Sequence, residues 1–239
     1  HPRVRRQRQM CIRDRCLSTG QVIKKKAHTY KWYTTAATWS KNGVSEKRCA
    51  VCRYSAAKNK VYRVAGVKLS KSTYTYNGKV QKPKVTVKDS KGNTLTAGKH
   101  YTVSYSGGCK NVGKYTVKVK FKKEYARFGS MSKTFTINPK GTSVSKVTAA
   151  KKGFKVTWKK QTTQTKGYEV QYSTSSNFKK GNKTVTVGKN KTTSKSVSKL
   201  SAKKKYYVRV RTYKTVKIGG KSVKLYSGWS KAKSVTTKK

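Results

Sequence analysis

The sequence predicts an all-β chain that contains two consecutive β-sandwiches, and three observations support this prediction. Apolar and polar residues alternate with a period of two, the pattern of a strand with one buried face. Turn-forming pairs such as Asn77-Gly78 and Gly219-Gly220 separate the alternating segments. Helical spacing is nowhere sustained, and the number of short strands favours two sandwiches. In chain order, the alternating segments are residues 84–88, 115–121, 133–137, 154–158, 168–172, 184–187 and 206–213.

Residues 1–15 form the first segment, and we expect them to be a disordered artefact rather than part of the fold. Residues 5–15 resemble the in-frame translation of an adapter oligonucleotide used in sequencing libraries. The alternative is a genuine basic arm that binds nucleic acid. Without residues 1–15 the chain loses six arginines and one aspartate and remains strongly basic. We therefore expect a truncated C-terminal region, tethered to an upstream module of the same chain.

Residues 16–64 form a short segment marked by cysteines, which we expect to be irregular. It resembles a cysteine-containing repeat found between bacterial surface modules. Where that repeat usually has a glycine after its second cysteine, this chain has Arg53. The motifs that carry the resemblance are Ala27-His28-Thr29-Tyr30, Ala36-Ala37-Thr38, Asn42-Gly43 and Cys49-Ala50-Val51-Cys52.

The spacing of Cys49 and Cys52 is that of a zinc knuckle or a redox pair. Zinc is bound by four tetrahedral ligands in structural sites, and Cys16 and His28 could complete the set. A disulfide or two unmodified thiols left from a degenerate repeat are the alternatives. A thioredoxin-like role would place the pair in a βαβ unit, and the strand pattern shows none. We expect no obligatory cofactor.

Residues 65–139 are expected to form the first sandwich. Residues 67–137 resemble a bacterial immunoglobulin-like module of Gram-positive surface proteins. Where the family usually has Gly-Asn-Tyr, this chain has Lys123-Glu124-Tyr125, a departure at a turn. The resemblance rests on residues 74–79, Pro83, residues 98–105, residues 111–117 and residues 133–137.

Residues 140–239 are expected to form the second sandwich, after a seam at Asn138-Pro139-Lys140-Gly141. They resemble a fibronectin type III domain, which implies a seven-stranded sandwich without a catalytic site. Ser227-Gly228-Trp229-Ser230 would open its last strand. The alternation predicts that Lys155, Glu169, Gln171, Arg209 and Arg211 face water. The predicted core residues are Trp158, Tyr168, Tyr172, Leu200, Tyr206, Val208 and Trp229.

The composition argues against an enzyme. The 239 residues include 61 Lys and Arg but only 5 Asp and Glu, with 3 His, for a net charge of +56. Most hydrolytic, acid–base and divalent-metal sites need clustered carboxylates or histidines. Cys109 has no nearby base and is expected to be a loop cysteine. A Lys–Asn isopeptide crosslink would need a buried acid, and Asp89 and Glu169 are both expected to be exposed.

The lysines are the main functional signal. They occur at outward strand positions and in loops such as Lys203-Lys204-Lys205, which with Arg209 and Arg211 are the candidate polyanion contacts. Solubility and protection of edge strands would explain the same lysines. An anionic wall polymer, teichoic acid first, or a host surface glycan is the expected partner. We expect no specific nucleic acid as partner, because no nucleic-acid-binding motif is present and the tyrosines take core-facing register.

The sequence therefore predicts a non-catalytic spacer and adhesion region of a larger secreted or wall-associated bacterial protein. No apolar run is long enough to span a bilayer. The alternatives are a polycationic protein that binds nucleic acid and the accessory tail of an extracellular hydrolase. The first would bind DNA more tightly than teichoic acid, and the second would follow a catalytic domain upstream.

Overall fold

The structure is a computed structural model, and it describes residues 27–239. The adapter-like residues 1–15 and Cys16 lie outside the described residues. Within the described part, strands and a single 3₁₀ helix, Lys123–Phe128, are the regular elements, so the all-β prediction is confirmed. No helix in this part is long and apolar enough to cross a membrane.

The chain divides into two compact units. The first holds the described residues up to 70 together with 85–104 and 118–133. The second holds residues 71–84, 105–117 and 134–239. The domain limits expected from the sequence, at 64/65 and 139/140, stay predictions.

The cysteine-containing segment is more regular than expected, because most of it is a three-stranded antiparallel sheet. Strand β1 exposes five of its six residues. A strand that buries neither face lacks the period-two apolar signal, so the sequence pattern could not reveal it. The strands are β1 (Tyr30–Thr35), β2 (Gly43–Cys49) and β3 (Ser55–Val61), in the order β1-β2-β3.

The first sandwich combines a two-stranded sheet, β4-β6, with a four-stranded sheet in the order β5-β9-β8-β7. In β8, Val117, Val119 and Phe121 are buried while Lys118 and Lys120 are exposed, as the alternation predicts. The strands are β4 (Val64–Leu69), β5 (Thr73–Thr75), β6 (Val85–Asp89), β7 (Tyr101–Tyr105), β8 (Gly113–Phe121) and β9 (Ser130–Asn138).

The 3₁₀ helix begins with a residue in the left-handed region of backbone space, since Lys123 has φ 52°. A lysine there is strained, because its Cβ approaches the backbone in a way that glycine avoids. Lys123 therefore places a side chain where the backbone favours none.

The second sandwich has a three-stranded sheet, β10-β11-β14, and a five-stranded sheet in which β13, β12, β15 and β16 lie side by side. Strand β17 also pairs with β15, along the first residues of that strand. The strands are β10 (Val144–Ala150), β11 (Gly153–Trp158), β12 (Gly167–Ser173), β13 (Lys183–Val187), β14 (Ser194–Val197), β15 (Lys205–Ile218), β16 (Lys221–Tyr226) and β17 (Lys233–Thr236).

The core of the second sandwich holds six of the seven residues predicted for it. Trp158 packs on Tyr168 with ring centroids 5.2 Å apart, and the Tyr168 hydroxyl donates to the Asn190 carbonyl at 2.8 Å. The seventh residue, Trp229, is half-buried and lies outside the core cluster. The residues found in the cluster are Trp158, Tyr168, Tyr172, Leu200, Tyr206 and Val208.

The segment around Trp229 interrupts the last strand rather than opening it. Strand β16 pairs with residues 213–218 of β15, whereas β17 pairs with residues 205–208. The Ser227 hydroxyl accepts a hydrogen bond from the Thr212 amide at 3.0 Å, so it takes the place of a backbone partner. This break releases Trp229 from the strand and lets its ring lie over the sheet.

Candidate functional site

A cysteine–histidine cluster lies at the turn between β2 and β3. Cys49 ends β2, Cys52 lies in the turn, and His28 comes shortly before β1. The register pairs Tyr30 with Cys49, which brings the chain on either side of β1 and β2 together at this end of the sheet. The three potential ligand atoms all lie within 4.8 Å of one another, and Cys52 Sγ is 3.4 Å from His28 Nδ1.

The environment of the cluster favours a thiolate at Cys49. Hydrogen bonds from the Cys52 backbone amide, from His28 and from the Val51 amide lower the pKa of the Cys49 thiol to about 6. Both cysteines are almost fully buried, at 1% and 2% exposure. A thiolate is the form of cysteine that binds metals and acts as a nucleophile.

The turn that holds the cysteines is tight. The Cys49 amide donates to the Tyr54 carbonyl at 2.9 Å, and the Arg53 amide donates to the Cys49 carbonyl at 3.1 Å. Arg53 has φ 62°, in the left-handed region that favours glycine.

The sequence hypothesis grouped Cys16 with these three residues, and Cys16 lies outside the described part of the chain.

Cys109 is fully buried, and its Sγ lies 3.6 Å from the Ser106 carbonyl oxygen. Burial raises the pKa of the Cys109 thiol, and the residue lies in the loop between β7 and β8, as the sequence predicts.

Two arginines predicted as polyanion contacts are instead part of a stacked layer on β15. The Arg209 guanidinium lies 3.9 Å from the Phe178 ring centroid and 4.8 Å from that of Trp229. Arg211 lies 3.7 Å from the Tyr226 ring and 4.3 Å from that of Trp229. Each guanidinium thus stacks on two aromatic rings, and neither is a freely presented surface cation.

The same arginines have acceptors on β12. Arg209 Nε donates to Gln171 Oε1 at 2.8 Å, and Arg211 donates to the carboxylate of Glu169. Glu169 was expected to face water, yet it is 6% exposed because the stacked layer covers it. The sequence did contain a signal for this layer. Arg209 and Arg211 are two residues apart, as are Glu169 and Gln171, and this spacing places each pair on one face of its strand.

Asp89 was also expected to be exposed, and it is buried at the end of β6. One carboxylate oxygen accepts the backbone amides of Lys91 and Asn93, each at 2.9 Å. The other accepts the Asn93 side-chain amide at 3.0 Å. An aspartate that satisfies the amides of its own turn is a structural element of that turn.

The two remaining described acids are also engaged. Glu46 pairs with Arg48, and Glu124 Oε1 lies 3.3 Å from His100 Nε2. Hydrogen bonding to Arg48 lowers the pKa of Glu46 to about 2. All four carboxylates in the described residues therefore have a partner within the protein.

The lysines, in contrast, point outward. Every lysine in the described part of the chain is exposed except Lys47 and Lys214, which are half-buried. Lys203, Lys204 and Lys205 lie exposed where the chain enters β15. The structure thus separates the predicted polyanion contacts into three exposed lysines and two stacked arginines.

The comparisons with known proteins concern the fold. The chain is similar to the FN1–FN3 domains of chicken CNTN1, at 14% identity and a TM-score of 0.36, over 83% of this chain and 78% of that one. It is similar to domains A168–A170 of titin, at 17% identity and a TM-score of 0.29, over 92% and 87%. No match to a curated protein is found. Residues 138–227 match the family model of the fibronectin type III domain, a domain type that is typical of extracellular spacer or adhesion modules and generally non-catalytic.

Proposed function

We propose that this chain is a non-catalytic spacer and adhesion region of a larger secreted or wall-associated bacterial protein. It would bind anionic wall polymers, or anionic surface glycans, through its lysines acting together. One observation carries the proposal: the lysines are exposed almost without exception, while the described carboxylates are all engaged within the protein.

The charge ratio makes external neutralisation unavoidable. With 61 basic and 5 acidic residues, internal ion pairs can neutralise a small part of the positive charge at most. The remainder attracts small anions or a polyanion, and a polyanion gains entropy by releasing its own counterions. A linear phosphate polymer can follow lysines distributed over a whole surface, so no shaped pocket is needed.

The stacked arginines support collective rather than local binding. Arg209 and Arg211 already hold acceptors and aromatic partners, so they offer a polymer little. Lys203, Lys204 and Lys205 then differ from other exposed lysines only in being adjacent. The proposal therefore assigns the binding to the total of exposed charge.

Two matched triple variants test this distinction. Lys203→Ala, Lys204→Ala and Lys205→Ala remove a cluster, whereas Lys155→Ala, Lys191→Ala and Lys217→Ala remove three scattered exposed lysines of the same sandwich. Binding to teichoic-acid-containing wall fragments, measured across a salt series, should weaken equally in both and fall steeply with salt. Loss confined to the cluster variant, or abolished binding after one Lys→Ala change, would overturn the diffuse-charge proposal.

The competitor is nucleic acid, and the same assay addresses it. At physiological salt, binding to wall fragments should exceed binding to a DNA duplex and should fall when teichoic acid is stripped from the wall. Tighter binding to DNA under these conditions would favour the polycationic nucleic-acid binder instead.

A further inference from the structure

The N-terminal sheet has very few buried apolar residues of its own. Between residues 27 and 61 these are Ala37, Cys49, Cys52 and Val61. Ala37 and Val61 belong to the larger core of the first unit, which leaves the two cysteines as the buried residues at the β2–β3 turn. Small sheets with so little core are commonly held by a disulfide or a metal ion.

The ligand atoms at this turn lie close to the separations that a tetrahedral metal requires. A zinc ion about 2.3 Å from sulfur and about 2.0–2.1 Å from nitrogen places its ligand atoms about 3.6–3.8 Å apart. Cys52 Sγ and His28 Nδ1 are 3.4 Å apart, and all three atoms lie within 4.8 Å. Small side-chain rotations therefore suffice to surround an ion.

We propose that His28 Nδ1, Cys49 Sγ and Cys52 Sγ bind one Zn²⁺ ion. Thiolate and imidazole ligands select zinc over magnesium and calcium, which prefer oxygen. On binding, the thiols release to solvent the protons they still hold.

The surroundings of the cluster favour a metal over a Cys49–Cys52 disulfide. The His28 ring packs against Tyr30 and Tyr54, with centroids 5.4 Å and 5.6 Å away, and this fixes Nδ1 beside Cys52. A Cys49–Cys52 disulfide would make no use of the histidine held in this place.

The ion would tie the residues before β1 to the turn that follows β2. This link would fasten β1, which is almost entirely exposed, to the rest of the sheet. Metal binding would then contribute directly to the folding of the sheet, because the unfolded chain does not hold the three ligands together. The proposal is independent of polyanion binding, which needs no metal.

The experiment is a zinc titration of the full chain, reduced and metal-free, in competition with a chromophoric chelator. One zinc per chain is expected. Cys49→Ser, Cys52→Ser and His28→Ala should each weaken binding more than about 100-fold, which exceeds the usual effect of an outer-shell change. Cys109→Ser is the matched control, and it should bind as the parent protein does.

Three further measurements separate a lost ligand from a lost fold. The NMR signals of the packed aromatic core around Trp158 should be the same in the variants as in the parent protein. Hydrogen exchange should slow at the Cys49 amide when zinc binds and stay constant at Val210. In the parent protein, cobalt should give thiolate-to-metal absorption that Cys52→Ser abolishes.

Three results would overturn the zinc site. The first is the absence of stoichiometric zinc binding by the reduced parent chain. The second is full affinity retained in Cys52→Ser or His28→Ala. The third is a chain that, purified without reductant, contains no zinc and shows a Cys49–Cys52 disulfide in its peptide map. Wall-fragment binding that persists after zinc removal is expected and leaves the proposed function intact.

Discussion

Arg211 donates two hydrogen bonds to Oε2 of Glu169, from Nε at 3.0 Å and from Nη2 at 2.6 Å. The carboxylate is buried, and the guanidinium above it is sandwiched between Tyr226 and Trp229. An acid, a base and two aromatic rings thus form the outer layer of the β12–β15 pair. In a chain with five acids, one is used to hold this layer in place.

Removing Arg211 should destabilise the second sandwich. Arg211→Ala leaves Glu169 buried without its main donor, at a cost of roughly 1–3 kcal/mol in the free energy of unfolding. Lys224 Nζ lies 3.9 Å from Glu169 Oε1, so part of the buried charge stays compensated and the loss does not exceed this range. Urea unfolding measures it, and the exposed Arg127→Ala serves as control.

A double variant checks the cause of that loss. In the Glu169→Gln background, Arg211→Ala should cost less, because no buried charge is left uncompensated. Equal losses in both backgrounds would mean that the aromatic stacking of Arg211 matters and the ion pair does not.

Trp158 should tolerate phenylalanine far better than alanine. Its indole Nε1–H meets no acceptor among the described residues, so a phenyl ring gives up volume but no hydrogen bond. Trp158→Ala should cost about 3–5 kcal/mol of unfolding free energy through the cavity it leaves. Thermal or urea unfolding of both variants tests this, and similar losses for Phe and Ala would point to a hidden partner of the indole.

Lys123→Gly should stabilise the first sandwich. Lys123 has φ 52°, where a Cβ costs about 1–2 kcal/mol. Glycine removes this strain, but its greater backbone entropy in the unfolded chain costs about 0.5–1 kcal/mol. The neighbouring Lys122 has φ −136°, so Lys122→Gly removes an equal charge without relieving strain and should destabilise. Lys123→Gly should raise the unfolding midpoint, and Lys122→Gly should lower it. A lower midpoint in both variants would contradict the strain at Lys123.

His100 should remain neutral to lower pH than an ordinary histidine. Burial lowers its pKa, while Glu124 opposes this and Lys99 and Lys123 add to it. Its Nδ1 accepts the Thr96 amide at 2.9 Å, which requires an unprotonated Nδ1.

The consequence for stability has a definite sign. Above about pH 6.5, His100 is neutral in both the folded and the unfolded chain, and its contribution to the free energy of unfolding is fully present. As pH falls through the lowered folded pKa, the unfolded chain has already taken the proton and stability is lost. An NMR titration of the His100 ring measures the pKa, and His100→Gln should flatten the pH dependence. A pKa at or above the ordinary value would contradict the structure.

Strands with one buried face were predictable from the sequence, and strands without one were not. Residues 115–121 alternate and lie in β8, whereas the exposed β1 carries no such signal. The core around Trp158 also follows from the pattern, because it depends on local periodicity.

The errors arose where a second layer covers a strand. Glu169 alternates with Tyr168 and Val170, so its side should face water, but the side chains of β15 and β16 close over it. Trp229 is also predicted for the core, and a break in strand pairing places it outside the core cluster. Both depend on contacts between residues distant in sequence, which periodicity does not report.

The outward lysines have a consequence for digestion. Trypsin cleaves after lysine, so nearly every stretch of the described chain offers a recognised bond at its surface. Cleavage also requires the residues around the lysine to detach from the neighbouring strands. The cleavage rate at each lysine therefore reports the local opening of that strand. A peptide map recorded over time would therefore show which strands of the two sandwiches open most readily, because almost every strand carries a lysine.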